Sequence, residues 1–319
     1  MQLFLKYLLI FLSVFILLLV LFETVTSKIF QNNASFLLER KPEYIVVGNS
    51  HSECAFNDSL ISNFSNLSIS AESYFYTFQK VKKILEQNKS IKTVFIEFNN
   101  NQIGENINEW IWGDIRMSRL YPMYSPFMTA SDKFLLLRKN PDAFLNAWSL
   151  SARNRIGYIM IEKYDYSARV GGYMYLDRDK TDSLVIASRN NTVNAADSEI
   201  DDSVSETNIQ YLLKTISLCK SEGKDVFLVR SPVHELYSGY KTESIFQGII
   251  DQDLGNVEFL DFSRFPLQDS EFGDFDHLNY RGALVFSEWF NRIVSEGILL
   301  KPDRLELIRS EIDSLKTAP

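Results

Sequence analysis

Three residues near the two ends of the chain have the types and spacing that acyl-transfer chemistry requires. Ser50 ends the segment Gly48-Asn49-Ser50 after an apolar run, and Asp274 and His277 lie three residues apart near the C-terminus. A serine hydroxyl is a weak nucleophile until a base takes its proton, and a carboxylate that orients the imidazole makes histidine an effective base. The pattern therefore predicts a nucleophile (Ser50), a general base (His277) and an orienting carboxylate (Asp274).

A structural interpretation of the same segments stays open. Asn49 or Ser50 would cap a helix that follows a strand, and Asp274 or Asp276 would cap the last helix of the chain. We expect Asp274 and His277 at the start of that helix, with their side chains facing the same way. Because both segments occur together and in this order, we favour the catalytic interpretation.

Three segments carry a family resemblance. Residues 44–50, reading YIVVGNS, resemble the first block of the SGNH (GDSL) hydrolase superfamily, although Asn49 stands where Asp is usual. Residues 274–282, reading DFDHLNYRG, resemble the last block, in which Asp-x-x-His-Leu is followed by Gly. Residues 94–102, reading VFIEFNNNQ, fit the block that ends in Gly-x-Asn-Asp, with Asn99 at the Gly position and Asn101 at the Asn position.

The resemblance implies an oxyanion hole as well as a triad. In that family the hole is formed by the nucleophile's N–H, a Gly N–H of the second block and the Asn side chain of the third. Here these would be the N–H of Ser50 and the side chain of Asn101. Residues 66–72, reading NLSISAE, contain no Gly, so Ser70 or Ala71 would present the remaining N–H. The resemblance implies no cofactor and no metal.

Four further residues are candidates for the pocket, namely Asn49, His51, Asn99 and His234. His51 is adjacent to the serine and is expected to point away from it, in a structural or gating role or as an alternative base. His234 follows a predicted strand and would lie at the same sheet edge as Ser50. A plain loop position is the alternative for His234.

The N-terminus predicts a membrane partner. Residues 3–22 are apolar except for Lys6 and Ser13, and about 20 residues at about 1.5 Å each would cross a hydrocarbon core of about 30 Å. Residues 1–27 are therefore a single-pass anchor or a cleaved signal, and the absence of a small-residue cleavage site favours the anchor. The position of Lys6 favours a cytoplasmic N-terminus, so the remaining chain would be extracytoplasmic.

Composition argues against a nucleic-acid-binding protein and against a protein stabilised by disulfides or by a cysteine-bound metal. The net charge is −8 and no Lys/Arg cluster stands beside an aromatic stripe, so nucleic acid is not expected as a partner. The two cysteines, Cys54 and Cys219, are too few for a disulfide scaffold and have no metal-binding spacing.

The alternation of elements predicts an α/β domain over residues 28–319, with a doubly wound, flavodoxin-like parallel sheet. Strands are expected at residues 43–47, 66–70, 93–98, 225–229 and 257–262, and helices at 72–87, 206–222, 235–252 and 279–296. An aromatic-rich insertion occupies about residues 102–204, either as a glycan-binding cap or as a segment that builds its own core. Within it, residues 188–205 resemble a surface loop.

Together these features predict a serine-dependent acyl-ester hydrolase or acyltransferase. By analogy with envelope proteins of the same superfamily, its substrate would be an O-acyl group of an extracytoplasmic glycan or another ester, with a membrane acyl-donor protein as a possible partner. The alternative is a catalytically weak or inactive envelope binding or assembly protein, which the missing second-block Gly motivates.

Overall fold

Five parallel strands form one sheet in the order β2-β1-β3-β4-β5. The computed structural model describes residues 1–181, 183–186 and 203–317. The strands are β1 (Tyr44–Val47), β2 (Phe64–Asn66), β3 (Thr93–Glu97), β4 (Asp225–Arg230) and β5 (Glu258–Asp261). This is the strand order of flavodoxin-like doubly wound sheets, so the predicted fold class is confirmed.

The helices divide between two compact units. They are α1 (Gln2–Asn33), α2 (Ser50–Ala55), α3 (Tyr74–Gln87), α4 (Asn108–Trp112), α5 (Asp114–Tyr124), α6 (Ala130–Lys139), α7 (Pro141–Met160), α8 (Glu206–Ser221), α9 (Glu243–Asp253), α10 (Tyr280–Ser295) and α11 (Arg304–Thr317). The helical unit comprises Met1–Phe36 and Ile111–Ser167. The sheet unit comprises Leu37–Trp110 and Ala168–Pro319.

The core of the sheet unit is largely aromatic. β-Branched and aromatic residues favour strands that are buried on both faces, and the central strands β1 and β3 are almost wholly buried. Phe95 of β3 and Phe227 of β4 stack with ring centroids 5.6 Å apart, and Phe290 of α10 meets Phe95 edge-on at 5.5 Å. This packing fixes the carboxyl ends of the central strands relative to α10.

Two predicted elements have different bounds in the structure. The second strand was expected at residues 66–70 but ends at Asn66, because the Asn66 side chain accepts a hydrogen bond from Ser68 N at 3.0 Å and turns the chain. The helix expected at 235–252 begins at Glu243 and follows a 3₁₀ turn, Ser238–Thr242. In that turn Gly239 packs so tightly against the Tyr237 ring that a Cβ would lie 2.3 Å from it.

The predicted insertion is mainly helical. α4 to α7 occupy much of it, and in the helical unit the buried rings of Phe36 and Tyr166 stack at 4.7 Å, with Phe127 edge-on to Phe36 at 5.2 Å. These rings form a core within the helical unit. A segment that builds its own core was one of the two alternatives for the insertion. Most of the predicted loop at 188–205 lies outside the described residues.

α1 is long and apolar enough to cross a membrane. It runs to Asn33, beyond the predicted end of the anchor at residue 27. Its last turns belong to the folded helical unit, since Thr26, Ser27 and Phe30 are buried.

Candidate active site

The site lies where the strand order reverses. β1 lies between β2 and β3, so the connections that follow β1 and β3 leave the sheet in opposite directions. In open α/β sheets this switch point forms a crevice at the carboxyl ends of the strands, where ligands bind. Ser50 follows β1, and the Asn99–Asn101 segment follows β3, so the topology brings both to this crevice.

A tight turn presents Ser50 at the end of β1. A Cβ on Gly48 would lie 2.3 Å from Glu97 Cβ, so only glycine fits where β1 passes β3. Asn49 then caps α2, its Oδ1 accepting a hydrogen bond from His51 N at 3.0 Å. Ser50 is the first residue of α2 and is not the cap. The capped-turn interpretation thus explains Asn49 and leaves the Ser50 hydroxyl for another role.

That hydroxyl is hydrogen-bonded to His277. The distance from Ser50 Oγ to His277 Nε2 is 2.8 Å, and His277 Nδ1 is 2.8 Å from Asp274 Oδ1. A neutral imidazole with its proton on Nδ1 donates to the carboxylate and accepts the serine proton at Nε2, which is the arrangement that a general base needs. The structure therefore brings together the three residues expected to form the triad.

Asp274 and His277 lie in a turn before α10, whereas we expected them at the start of the helix. Asp274 Oδ1 accepts hydrogen bonds from the backbone N–H groups of Asp276 and His277, both at 2.9 Å. The helix begins only at Tyr280, capped by Asn279. The carboxylate thus holds the turn and the imidazole at the same time.

Asp274 is held as an anion. Burial raises the pKa of its carboxyl, but the hydrogen bond and charge of His277, the N–H of Asp276 and the guanidinium of Arg178 outweigh this effect and bring the pKa to about 2. Arg178 pairs with Oδ2, the oxygen that His277 leaves free. An ionised carboxylate beside an imidazole is the partner that stabilises an imidazolium.

Arg178 belongs to a segment that we call the strap, residues 171–181. Gly172 N donates to Ser68 O at 3.3 Å, Met174 N donates to Glu53 O at 2.9 Å, and Thr181 Oγ1 donates to Phe272 O at 2.7 Å. The strap therefore runs from the second block, past α2, to the Asp274 turn. Sequence analysis missed Arg178, because no local spacing marks a residue that acts across 96 positions of sequence.

The asparagines after β3 have separate roles. Asn99 Oδ1 accepts from Asn101 N at 3.1 Å, which shapes the turn, and Asn100 Nδ2 donates to Glu243 Oε2 at 3.1 Å. Asn101 is half-buried, and its Nδ2 is 3.3 Å from His51 Nε2. Among the three, Asn101 is the one whose amide lies beside the imidazole cluster.

His51 lies closer to the site than expected. Its ring centroid is 5.2 Å from that of His277, although we expected it to point away from Ser50. Burial lowers the pKa of His51 to about 3, and the neighbouring His277 acts in the same direction, so the ring is neutral. With Nε2 accepting from Asn101, the proton of His51 is on Nδ1, which has no acceptor among the described residues.

Ala71 has the backbone conformation that glycine favours. Its φ is +55°, in the left-handed region that costs an L-residue with a side chain about 1–2 kcal/mol. Its N–H has no acceptor among the residues that the structure describes. The left-handed turn that a second-block glycine would favour is therefore present without the glycine.

Glu97 forms a buried network behind the nucleophile turn. Its Oε2 accepts from Ser231 Oγ at 2.6 Å, and its Oε1 accepts from Ser231 N and Asn99 Nδ2, both at 3.1 Å. Burial raises the pKa of Glu97 to about 7, although these hydrogen bonds act in the opposite direction. The Asn99 amide extends the network to Asn49 Oδ1 at 3.4 Å.

His234 has its own partners. Its Nε2 is 3.1 Å from Asp269 Oδ1, and its Nδ1 accepts from Leu236 N at 3.1 Å. Its backbone N–H donates to Phe275 O at 3.0 Å. His234 therefore supports the turn that carries Asp274 and His277, and both of its ring nitrogens are already engaged.

No cluster of three or more His, Cys, Asp or Glu side chains with metal-binding geometry occurs among the described residues. Cys54 and Cys219 are buried, and burial raises the pKa of both thiols. They therefore have the environment of structural rather than reactive cysteines.

Comparisons with known proteins give the following similarities. A family model whose description names no function matches residues 151–299. No curated protein matches the chain. Among solved structures, the chain is similar to a GDSL-like lipase from Bacteroides thetaiotaomicron, with 8% identity, a TM-score of 0.37, and coverage of 86% of this chain and 99% of that chain. It is also similar to an acylhydrolase candidate from Bacteroides fragilis, with 10% identity, a TM-score of 0.38, and coverage of 84% and 94%.

Proposed function

We propose that the protein is a serine-dependent acyl-ester hydrolase or acyltransferase. The observation that carries the proposal is the continuous hydrogen-bonded series from Ser50 Oγ through His277 to Asp274, with both links at 2.8 Å. A capped turn requires no such series, and the two ends of the serine–histidine link are 227 residues apart in sequence.

The proposed reaction proceeds through an acyl-enzyme. His277 Nε2 takes the Ser50 proton as Oγ bonds to the acyl carbon, and the carbonyl electron pair moves onto oxygen. The N–H groups of Ser50 and Ala71 and the amide of Asn101 would receive this oxyanion. The bond to the leaving alcohol breaks as His277 returns the proton to it, and water or an acceptor hydroxyl then repeats the sequence to release the acyl group.

A glycan is the substrate class that we propose. Tyr175 of the strap stacks on Tyr280 with ring centroids 4.9 Å apart, and 61% of Tyr175 is exposed. Tyr280 follows His277 by three residues, so this aromatic face lies beside the proposed triad. The apolar C–H faces of sugars stack on such rings. Removing the ring in Tyr175→Ala should raise the KM for an acetylated oligosaccharide and leave turnover of p-nitrophenyl acetate unchanged.

For localisation we propose that α1 is a retained anchor with the sheet unit outside the cytoplasm, where a membrane protein would donate the acyl group in a transferase. Glu23 of α1 pairs with Arg155, which is 1% exposed, and with Lys133. Cleavage near residue 27 would leave Arg155 buried without its carboxylate, which costs several kcal/mol. N-terminal sequencing of the protein from its native membrane tests this, and a mature start beyond residue 27 would contradict it.

The test of the catalytic proposal is covalent labelling with a fluorophosphonate. We expect the probe to label Ser50 of the full chain, and Ser50→Ala and His277→Ala to lose both the label and the turnover of p-nitrophenyl acetate by several orders of magnitude. Ser52→Ala is a matched control from the same helix, because Ser52 Oγ bonds Ser68 Oγ at 2.8 Å within the interior. Undiminished activity in Ser50→Ala would refute the assignment.

A binding or assembly protein without efficient catalysis is the second candidate. The observation that favours it is that one N–H of the Asn101 amide is already directed at His51 Nε2, 3.3 Å away, and in this arrangement that N–H is not available to an oxyanion. The same probe separates the two candidates. A folded protein that is not labelled and does not turn over esters would favour the binding protein.

A further inference from the structure

We propose that an apolar patch on the helical unit lies at the boundary between the head groups and the acyl chains of the bilayer that α1 crosses. The patch consists of Phe134 and Leu137 of α6 and Leu145 of α7, all of them exposed. The inference rests on the proposed retention of α1 and is independent of the chemistry at Ser50.

The depth of the helical unit can be read along α1. Residues 3–22 span about 30 Å, the thickness of a hydrocarbon core, so Phe22 lies near its boundary and Glu23 in the head-group layer. Residues 3–18 are exposed, whereas Leu19 and Phe22 are partly covered. Partial burial along α1 begins at Leu19, about one helical turn before Phe22. The helical unit therefore reaches about one helical turn into the hydrocarbon core.

The contacts of Glu23 identify the elements at this depth. Lys133 of α6 pairs with Glu23, and Trp148 Nε1 of α7 donates to Glu23 Oε2 at 3.2 Å. Lysine and tryptophan are the side chains that commonly occupy the head-group layer. Phe134 directly follows Lys133 on α6 and is 63% exposed, so its backbone is within about 1.5 Å of the same depth.

The direction of α7 places Leu145 on the bilayer side. Trp148 contacts Glu23, and Tyr158 lies 6.5 Å from Phe30 between ring centroids, so α7 follows α1 in the same direction. Residues that precede Trp148 therefore lie towards the bilayer, and Leu145 precedes it by one turn. Met160, at the other end of α7, is about 18 Å from Trp148 along the helix and lies away from the bilayer.

Charge favours a phospholipid surface as the occupant. Arg138 and Lys139 form the last turn of α6, directly after Leu137, and both are exposed. Exposed cations beside apolar side chains match a surface of acyl chains and phosphates.

The experiment measures the depth of single labels. The full chain with Phe134→Cys, Leu137→Cys or the control Met160→Cys is labelled with an NBD fluorophore and reconstituted in vesicles of phosphatidylcholine and phosphatidylglycerol. The native Cys54 and Cys219 are buried and should not react. The three substituted positions are exposed, so the fold should tolerate the changes. Brominated lipids then report contact with acyl chains by quenching.

We expect blue-shifted emission and several-fold stronger quenching at positions 134 and 137 than at 160. Quenching at 134 and 137 that equals that at 160, in a chain shown by mass to be intact, would overturn the patch and leave the anchor and the enzyme proposals standing. Blue-shifted emission without lipid quenching would mean that protein covers the patch, which also overturns the inference. A chain found without α1 would overturn both the anchor and the patch.

Discussion

Replacing Glu97 by glutamine should stabilise the protein above neutral pH and have little effect in mild acid. The folded state keeps Glu97 protonated up to a pKa of about 7, whereas in the unfolded chain the group ionises near 4.5. The folded state therefore binds the additional proton between these values, and stability falls as the pH rises through this window. The shift corresponds to about 3 kcal/mol at about 1.4 kcal/mol per unit of pKa.

Glutamine retains the geometry without the charge. Its carbonyl oxygen accepts from Ser231 N and Asn99 Nδ2 as Glu97 Oε1 does, and its amide donates to Ser231 Oγ. The variant should match the wild type near pH 4, below the pKa of the unfolded chain, and exceed it by about 3 kcal/mol near pH 8. In a domain of this size, this corresponds to roughly 6–12 °C in Tm.

The assay is thermal unfolding of the full chain in detergent at several pH values, followed by calorimetry. Glu235→Gln is the matched control, because Glu235 is exposed and should show no such pH dependence. A Tm difference that does not change with pH would refute the reasoning. So would a wild type that is more stable than the variant near pH 8.

The other predictions concern three residues outside the proposed triad, namely Asn101, Arg178 and Ala71. Asn101→Ala should lower kcat by about 10²- to 10³-fold with little effect on KM, since a side-chain donor in an oxyanion hole acts on the transition state, and Asn100→Ala should be mild in the same ester assay. Arg178→Gln should lower kcat by no more than about fivefold, because a half-exposed ion pair such as that with Asp274 contributes about 0–1 kcal/mol. Arg178→Lys keeps the positive charge and should therefore retain part of the kcat that Arg178→Gln loses. A larger loss would show that Arg178 contacts substrate. Ala71→Gly should raise the unfolding free energy by up to about 1 kcal/mol, because it relieves the left-handed φ, and a destabilised variant in urea titration would contradict this.

The fold and the positions of the triad followed from local patterns. Buried β-branched strands alternate with amphipathic helices, and this predicts a parallel sheet whose carboxyl ends carry the polar residues. Ser50, Asp274 and His277 were identified by type and order, and the structure brings them within hydrogen-bond distance. The end of β2 was missed, because it depends on the Asn66 side chain rather than on apolar periodicity.

Other features of the site depend on contacts that no local pattern encodes. Arg178 reaches Asp274 only because the strap crosses α2. No local pattern marks the buried network of Glu97, because its strand is central and its partners come from the segments that follow β4 and β3. The position of His51 beside His277 follows from the first turn of α2, whose orientation is set by the close contact of Gly48 with Glu97.

The turn that joins Asp274 to His277 divides the proposed triad into one local pair and one distant contact. The carboxylate and the imidazole are oriented relative to each other by hydrogen bonds within four residues, while Arg178 and His234 hold the turn from outside it. The contact with Ser50 is long-range, and in the proposed mechanism it would supply the high effective concentration on which the base depends. Ester turnover would therefore report the docking of the C-terminal segment on the end of β1, and should disappear when that segment loosens, before the sheet itself unfolds.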